Sequence, residues 1–433
     1  MSRPVRIFIG ASLLIVLLLS LPFWLPATRS LASEIAPGDL DSIAGAVGPM
    51  FIWDSGWITG SMTQRVLEMP RIMAFNGLDE AIWVTETGFP FGSFYDQPSN
   101  RLFLIEQRGT EEKIEKGLTF DSERLYPPSK NWPLFLTILD TRNGKEISST
   151  QLDAPFVIWA NNSIGRPVAL RGDLLYIMTY GSGTNLLIFD LKQKSFLDEG
   201  LKLCEAGYPT QVHYSNELES TVTLCTDFST GMDNAVTVTS LRDGLQRSVE
   251  LPQFGKEEYM SGNAMVLGLN QVAYVLETDA KMIAEIDLIQ MSIIREATYA
   301  ENLTEQETGF VQRAVAWLLE QSAGSASAKR WMGITAISPD GRWLAVDGGF
   351  GPNHAPRNVY LIDLETLQAE RELELAGSPA SMVFANDSQL IVFLEKSNFG
   401  RDTQAIVFDL FNNGQATVQI PTHSGVYEYL LTY

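Results

Sequence analysis

The chain has 433 residues, 45% of them hydrophobic and 19% charged, which is enough apolar material for a packed core and excludes a disordered chain. Its 52 acidic against 31 basic residues leave a net charge of −21. That balance argues against nucleic acid and anionic membrane surfaces as partners, although it permits a basic protein partner.

The first 32 residues read as a secretory leader. Arg3 and Arg6 form a basic start, residues 7–25 carry no charge, and Ser30, Leu31 and Ala32 supply a cleavage site before Ser33. No Arg-Arg pair is present, which points to the general secretory route. The uncharged run approaches membrane-spanning length, so an uncleaved anchor is the alternative. In both cases the remainder, with a net charge of −24 (28 − 52), is expected outside the cytoplasm, in the periplasm or the extracellular space.

Residues 33–433 are expected to form one seven-bladed β-propeller. A strand of alternating apolar residues, ending in Asp or a stand-in and followed by a turn and a second strand, recurs at 134–140, 186–190, 236–240, 282–287, 359–363 and 405–409. The marked positions lie 50, 50, 47, 76 and 46 residues apart. Four short strands per repeat at this spacing are the signature of propeller blades. Such a ring escapes the size limit of a single core because each blade packs mainly on its neighbours. A weaker seventh copy stands at 51–54. Together with 64–69 and the alternating stretch 425–433, it is expected to complete the first blade from both chain ends, which removes free sheet edges.

The later blades are clearest. Ser338-Pro339-Asp340-Gly341 is a turn between strands at 334–337 and 343–346, and Asn412-Asn413-Gly414 is another between 405–409 and 416–420. The Asp that ends each marked strand is expected to cap the hairpin turn through side-chain-to-backbone hydrogen bonds rather than to do chemistry.

Two stretches break the rhythm. Residues 107–132 are long, charged and contain proline, and read as an inserted loop. Residues 304–329 read as a second insertion. Within it, Thr304 and Glu307 make a capping box and the apolar residues Phe310, Val311, Ala314, Val315, Leu318 and Leu319 predict a helix over 304–323. This insertion accounts for the 76-residue gap.

Cys204 and Cys225 are the two cysteines of the chain, 21 residues apart. In an exported protein a disulfide is the default, and closing that loop stabilises the fold by roughly 3 kcal/mol in the chain-entropy picture. His213, His354 and His423 are scattered, and no His or Cys cluster has metal-ligand spacing. No Gly-x-Ser-x-Gly elbow occurs; Tyr180-Gly181-Ser182-Gly183 reads as a loop between strands. No phosphate-cradling glycine motif follows a strand. The nine tryptophans are expected mostly to pack blades. No residue is nominated as catalytic, cofactor-binding or metal-binding.

Around Cys204 the chain resembles the heavy subunit of the quinoprotein amine dehydrogenases, the family of methylamine and aromatic amine dehydrogenases. The residues that carry the resemblance are 186–190, Lys202-Leu203-Cys204, Tyr208-Pro209 and Thr223-Leu224-Cys225-Thr226-Asp227. Glu86-Thr87-Gly88-Phe89-Pro90, Leu152-Asp153-Ala154-Pro155 and Asn302-Leu303-Thr304-Glu305 align in order with other family segments, so the likeness runs over 48–421. The cysteines stand further apart than in the family, 107–132 is longer, and the aromatic residue that the heavy subunit lends to the substrate channel has no match.

The resemblance implies a seven-bladed disc without a cofactor of its own. A small, cysteine-rich light subunit would carry tryptophan tryptophylquinone and oxidise primary amines, and a cupredoxin would accept the electrons. With two cysteines this chain cannot be that light subunit. The alternatives are a stand-alone exported propeller that binds a protein or a glycan, and a lactonase-like hydrolytic propeller.

Overall fold

The computed structural model describes Ser33–Glu34, Tyr427–Leu430 and residues 50–420 apart from internal stretches, the longest of which are 109–132, 153–161, 227–233, 253–262, 301–333, 349–357 and 395–402. The leader and the expected helix at 304–323 therefore lie outside the described residues, as does nearly all of the insertion at 107–132. No described helix is long and apolar enough to cross a membrane.

Seven antiparallel sheets follow one another along the chain, each four strands deep from the centre of the ring to its rim. Blade 1 runs outward as Tyr427–Leu430, Met50–Asp54, Arg71–Phe75 and Ala81–Glu86. Blade 2 is Phe89–Asp96, Arg101–Gln107, Leu134–Asp140 and Glu146–Gln151. Blade 3 is Asn162–Arg171, Leu174–Gly181 and Asn185–Asp190, with an outer strand in two pieces, Ser195–Phe196 and Leu201–Lys202. Blade 4 is Tyr208–Ser215, Ser220–Thr226, Asn234–Ser240 and Gln246–Glu250. Blade 5 is Asn263–Leu267, Val272–Glu277, Met282–Asp287 and Ser292–Thr298. Blade 6 is Thr335–Ile337, Trp343–Asp347, Asn358–Asp363 and Gln368–Glu374. Blade 7 is Pro379–Asn386, Gln389–Leu394, Thr403–Asp409 and Gly414–Ile420, with Ser33–Glu34 added in parallel at its rim.

The C-terminal strand closes the ring on the N-terminal one. Phe51 to Asp54 pair with Leu430 to Tyr427, so blade 1 takes its innermost strand from the far end of the chain, as expected. Two details of that blade differ from the sequence reading. Met50–Asp54 is its second strand, whereas the marked phrase elsewhere is the third; the true counterpart is Arg71–Phe75. The segment 64–69 is not in the blade: Gln64–Glu68 pairs with Trp57–Ser61 as a separate hairpin. The hairpin interrupts the chain between two blade strands, so position along the chain alone points to its second arm as a blade strand. Tyr180 and Gly181 belong to the second strand of blade 3 rather than to the loop that follows.

The core consists of slabs between blades. One joins blades 6 and 7 through Val359, Leu361, Phe384, Leu390 and Phe408. Another joins blades 4 and 5 through Val222, Val236, Val275 and Ile286. Strands buried on both faces explain the near-continuous apolar runs of the second strands, such as Leu102 to Ile105, which are 0% exposed. In blade 1, Trp53 is 0% exposed and its indole Nε1 donates to Thr87 Oγ1 at 2.8 Å. Hiding about 200 Å² of ring at ~25 cal/mol/Å² stabilises the fold by at most about 5 kcal/mol before entropy is counted.

Candidate functional site

Strand order divides the disc into two unlike faces. Adjacent strands are antiparallel, so the connections alternate between the two ends of every blade. On one face lie the first-to-second and third-to-outer connections, none longer than five residues. On the other lie the second-to-third and outer-to-inner connections. These include 26 residues between Gln107 and Leu134, 36 between Thr298 and Thr335, and the hairpin of Trp57–Ser61 and Gln64–Glu68. Both insertions seen in the sequence thus leave from the same face, and so does every connection of more than five residues between consecutive blade strands from Met50 to Ile420.

The tight-turn face is built by the marked Asp residues. Asp190 Oδ1 accepts from the N–H groups of Lys192 at 2.8 Å and Gln193 at 2.9 Å. Asp287 Oδ1 does the same for Ile289 at 2.7 Å and Gln290 at 2.8 Å, and Asp409 Oδ1 for Phe411 and Asn412 at 3.0 Å each. Asp363 caps Glu365, Asp140 caps Arg142, and Ser240 Oγ accepts from Arg242 N–H in the one blade that lacks the carboxylate. Four residues after each marked position the backbone turns left-handed, at Gly144, Lys194, Gly244, Met291, Leu367 and Asn413. These carboxylates are turn caps, as the sequence predicts.

On the elaborated face, the base of the 107–132 insertion is the best-defined polar site. Glu106 is 0% exposed, at the end of the second strand of blade 2. Its Oε2 accepts from Gly88 N–H at 2.5 Å, and its Oε1 accepts from Arg108 Nε at 2.7 Å and Thr137 Oγ1 at 2.5 Å. Arg108 also reaches Glu146 Oε2 at 3.1 Å, and its guanidinium lies 5.2 Å from the centre of the Phe135 ring. Burial pushes the Arg108 pKa down, but Glu106 and Glu146 together hold it above its ordinary value. Arg108 N–H donates to Pro133 O at 3.2 Å, so the two ends of the insertion are tied together. The site is a stem: a buried carboxylate, saturated with donors, that fixes where the loop begins and ends. Sequence reading missed it, though an acid that closes the apolar run Arg101–Gln107 with an Arg next to it was the available sign.

A second polar cluster sits at the same face between blades 5 and 6. Lys281, at φ +57°, donates its Nζ to Gly348 O and lies 4.8 Å from the centre of the Tyr360 ring. Tyr299 stacks edge-on against Tyr360 with centroids 5.8 Å apart. Burial, and the nearby Glu372, hold the Tyr360 phenol above its usual pKa against a hydrogen bond from Asn358.

Cys204 and Cys225 are joined by a disulfide, with Cα atoms 5.8 Å apart. It links the connection after Lys202, at the rim of blade 3, to the second strand of blade 4. Among the described residues no group of three His, Cys, Asp or Glu is placed to hold a metal. His213 lies on the innermost strand of blade 4. Of the nine tryptophans, Trp53, Trp83 and Trp343 stand in blade strands and Trp57 in the added hairpin; Trp24, Trp132, Trp159, Trp317 and Trp331 lie outside the described residues.

No known protein family matches the chain, and no curated protein matches it either. Among solved structures, the chain is similar to a candidate 6-phosphogluconolactonase of Bacteroides uniformis, at 11% identity and a TM-score of 0.51 over 88% of this chain and 99% of that one. It is also similar to the periplasmic gluconolactonase of Pseudomonas aeruginosa, at 12% identity and a TM-score of 0.50 over 88% and 99% of the two chains. A candidate 6-phosphogluconolactonase of Bacteroides fragilis gives 9% identity and a TM-score of 0.50 over 92% and 100%. These likenesses establish the seven-bladed propeller. At this identity they show the fold alone, and nothing in them shows an amine dehydrogenase heavy subunit.

Proposed function

We propose that this chain is an exported binding scaffold that engages a partner through its elaborated face. The observation that carries this reading is the asymmetry of the disc. Thirteen connections on one face are kept to five residues or fewer, while both long insertions leave from the other face, one of them fixed at its base by the buried Glu106 paired with a partly exposed Arg108. Rigid scaffolds commonly carry recognition on such loops. The net charge of −24 without the leader favours a basic or neutral partner.

Two finer readings follow. In the first, the partner is a quinone-bearing light subunit and the complex oxidises primary amines, passing electrons to a cupredoxin. In the second, the chain acts on a sugar lactone, a reading raised by the gluconolactonases that share its fold. Purification from the native source separates them. A co-purifying small, cysteine-rich chain with quinone absorbance supports the first, and lactone hydrolysis by the colourless single chain supports the second. A colourless chain that hydrolyses no lactone and retains a bound protein or glycan leaves the scaffold reading in its general form.

A further inference from the structure

We propose that the Cys204–Cys225 disulfide is a redox-sensitive latch on the seam between blades 3 and 4: oxidised, it holds the seam shut, and reduced, it lets that seam open while the other blades stay packed. The latch stands beside an outer strand that pairs in two short pieces. In blade 3, Ser195 and Phe196 pair with the third strand, Leu197 N–H donates to Ile188 O at 2.9 Å, and Leu201 and Lys202 pair again further along. Blade 4 pairs its outer strand without a break over five positions.

The returning piece serves both blades. Its backbone pairs with Asn185 and Leu186 of blade 3. It also touches blade 4: Gln246 Nε2 donates to Lys202 O, and the Leu201 side chain lies under the Gly244 turn, 3.2 Å from where a Cβ on Gly244 would stand. Two residues on, Cys204 is bonded to Cys225. Leu203, Cys204, Val212, Cys225 and Leu241 then pack with Val168, Tyr176 and Leu186 in one cluster that spans the seam. The strap 201–204 is thus held to blade 3 by two backbone pairing positions and by the packing of Leu203, and to blade 4 by the Gln246 hydrogen bond and one covalent bond.

The cysteines are 4% and 3% exposed, so a reductant reaches the sulfurs only when the side chains packed over them move aside transiently. The chemistry balances with an external dithiol. Its thiolate attacks one sulfur, the S–S bond breaks and the second cysteine leaves as a thiol. The dithiol's second thiolate then displaces the first cysteine and departs as a cyclic disulfide, having supplied two electrons and two protons.

The test is hydrogen exchange, read by mass spectrometry on the full chain before and after reduction by dithiothreitol, with thiols counted by alkylation. On reduction, exchange in Leu201–Lys202 and Ser220–Thr226 should rise at least tenfold, while Trp343–Asp347 and Gln389–Leu394 in blades 6 and 7 keep their protection; reoxidation should restore the pattern. The variant Cys204→Ala/Cys225→Ala should show the reduced pattern without reductant, and if it does not fold, the reduced wild-type chain carries the test. Unchanged exchange in fully alkylatable protein overturns the latch, and so does equal loss of protection in all seven blades.

Discussion

At the scale of single residues, the turns decide most. Each marked Asp satisfies backbone donors that a tight connection leaves without partners, so Asp287→Ala should cost about 1 kcal/mol, read as a lower denaturation midpoint with an unchanged slope. Lys194 holds a left-handed backbone that side chains disfavour by about 1–2 kcal/mol. Lys194→Gly relieves it and should raise stability by up to about 1 kcal/mol once the added freedom of the unfolded glycine is deducted. Gly144 is the opposite case: a Cβ there would stand 2.5 Å from the Trp83 ring and from Thr85 Oγ1, so Gly144→Ala destabilises. The carboxylates also set the acid limit. Arg142, through its side chain and its N–H, holds Asp140 down to about 2. For Asp409, burial pushes upward, but the Asn412 side chain and the N–H groups of Asn412 and Phe411 bring it below its ordinary value. A carboxylate whose folded pKa lies below its unfolded value of about 3.9 adds stability above that pH and loses it as pH falls toward the folded pKa. Thermal midpoints should therefore fall between about pH 4 and pH 2, and Asp140→Asn should make that fall shallower.

At the scale of elements, sequence periodicity gave six of the seven marked strands because each repeats one physical unit: an alternating strand that ends on a turn cap. It misplaced the first blade for an equally physical reason. The hairpin of Trp57–Ser61 and Gln64–Glu68 stands in the chain between two strands of that blade, and position along the chain does not say which sheet a strand joins. The stem of the 107–132 insertion was not legible because its parts are distant in sequence: Gly88, Glu106, Thr137 and Glu146 meet only once blade 2 is built. The stem makes its own prediction. Arg108→Met leaves Glu106 buried without a cation and should cost on the order of 3 kcal/mol. Adding Glu106→Gln should recover a large part of it, since the pair is coupled. Additive losses in that double-mutant cycle would show that Arg108 acts through its other contacts alone.

At the scale of the molecule, closure and asymmetry are the two facts that matter. Closure depends on Tyr427–Leu430, so a chain that ends at Val426 should lose exchange protection in Met50–Asp54 first and show a lower melting temperature. Asymmetry carries the functional reading, because it separates a face of capped turns from a face of long insertions. Its most direct test is lysine cross-linking of the full chain in its native extract, mapped by mass spectrometry. The account predicts that cross-links to one recurrent partner arise from Lys113, Lys116, Lys130, Lys256 and Lys329, whose connections leave from the elaborated face. Cross-links that instead arise from Lys145, Lys192 and Lys194, in the tight turns of the opposite face, would contradict it.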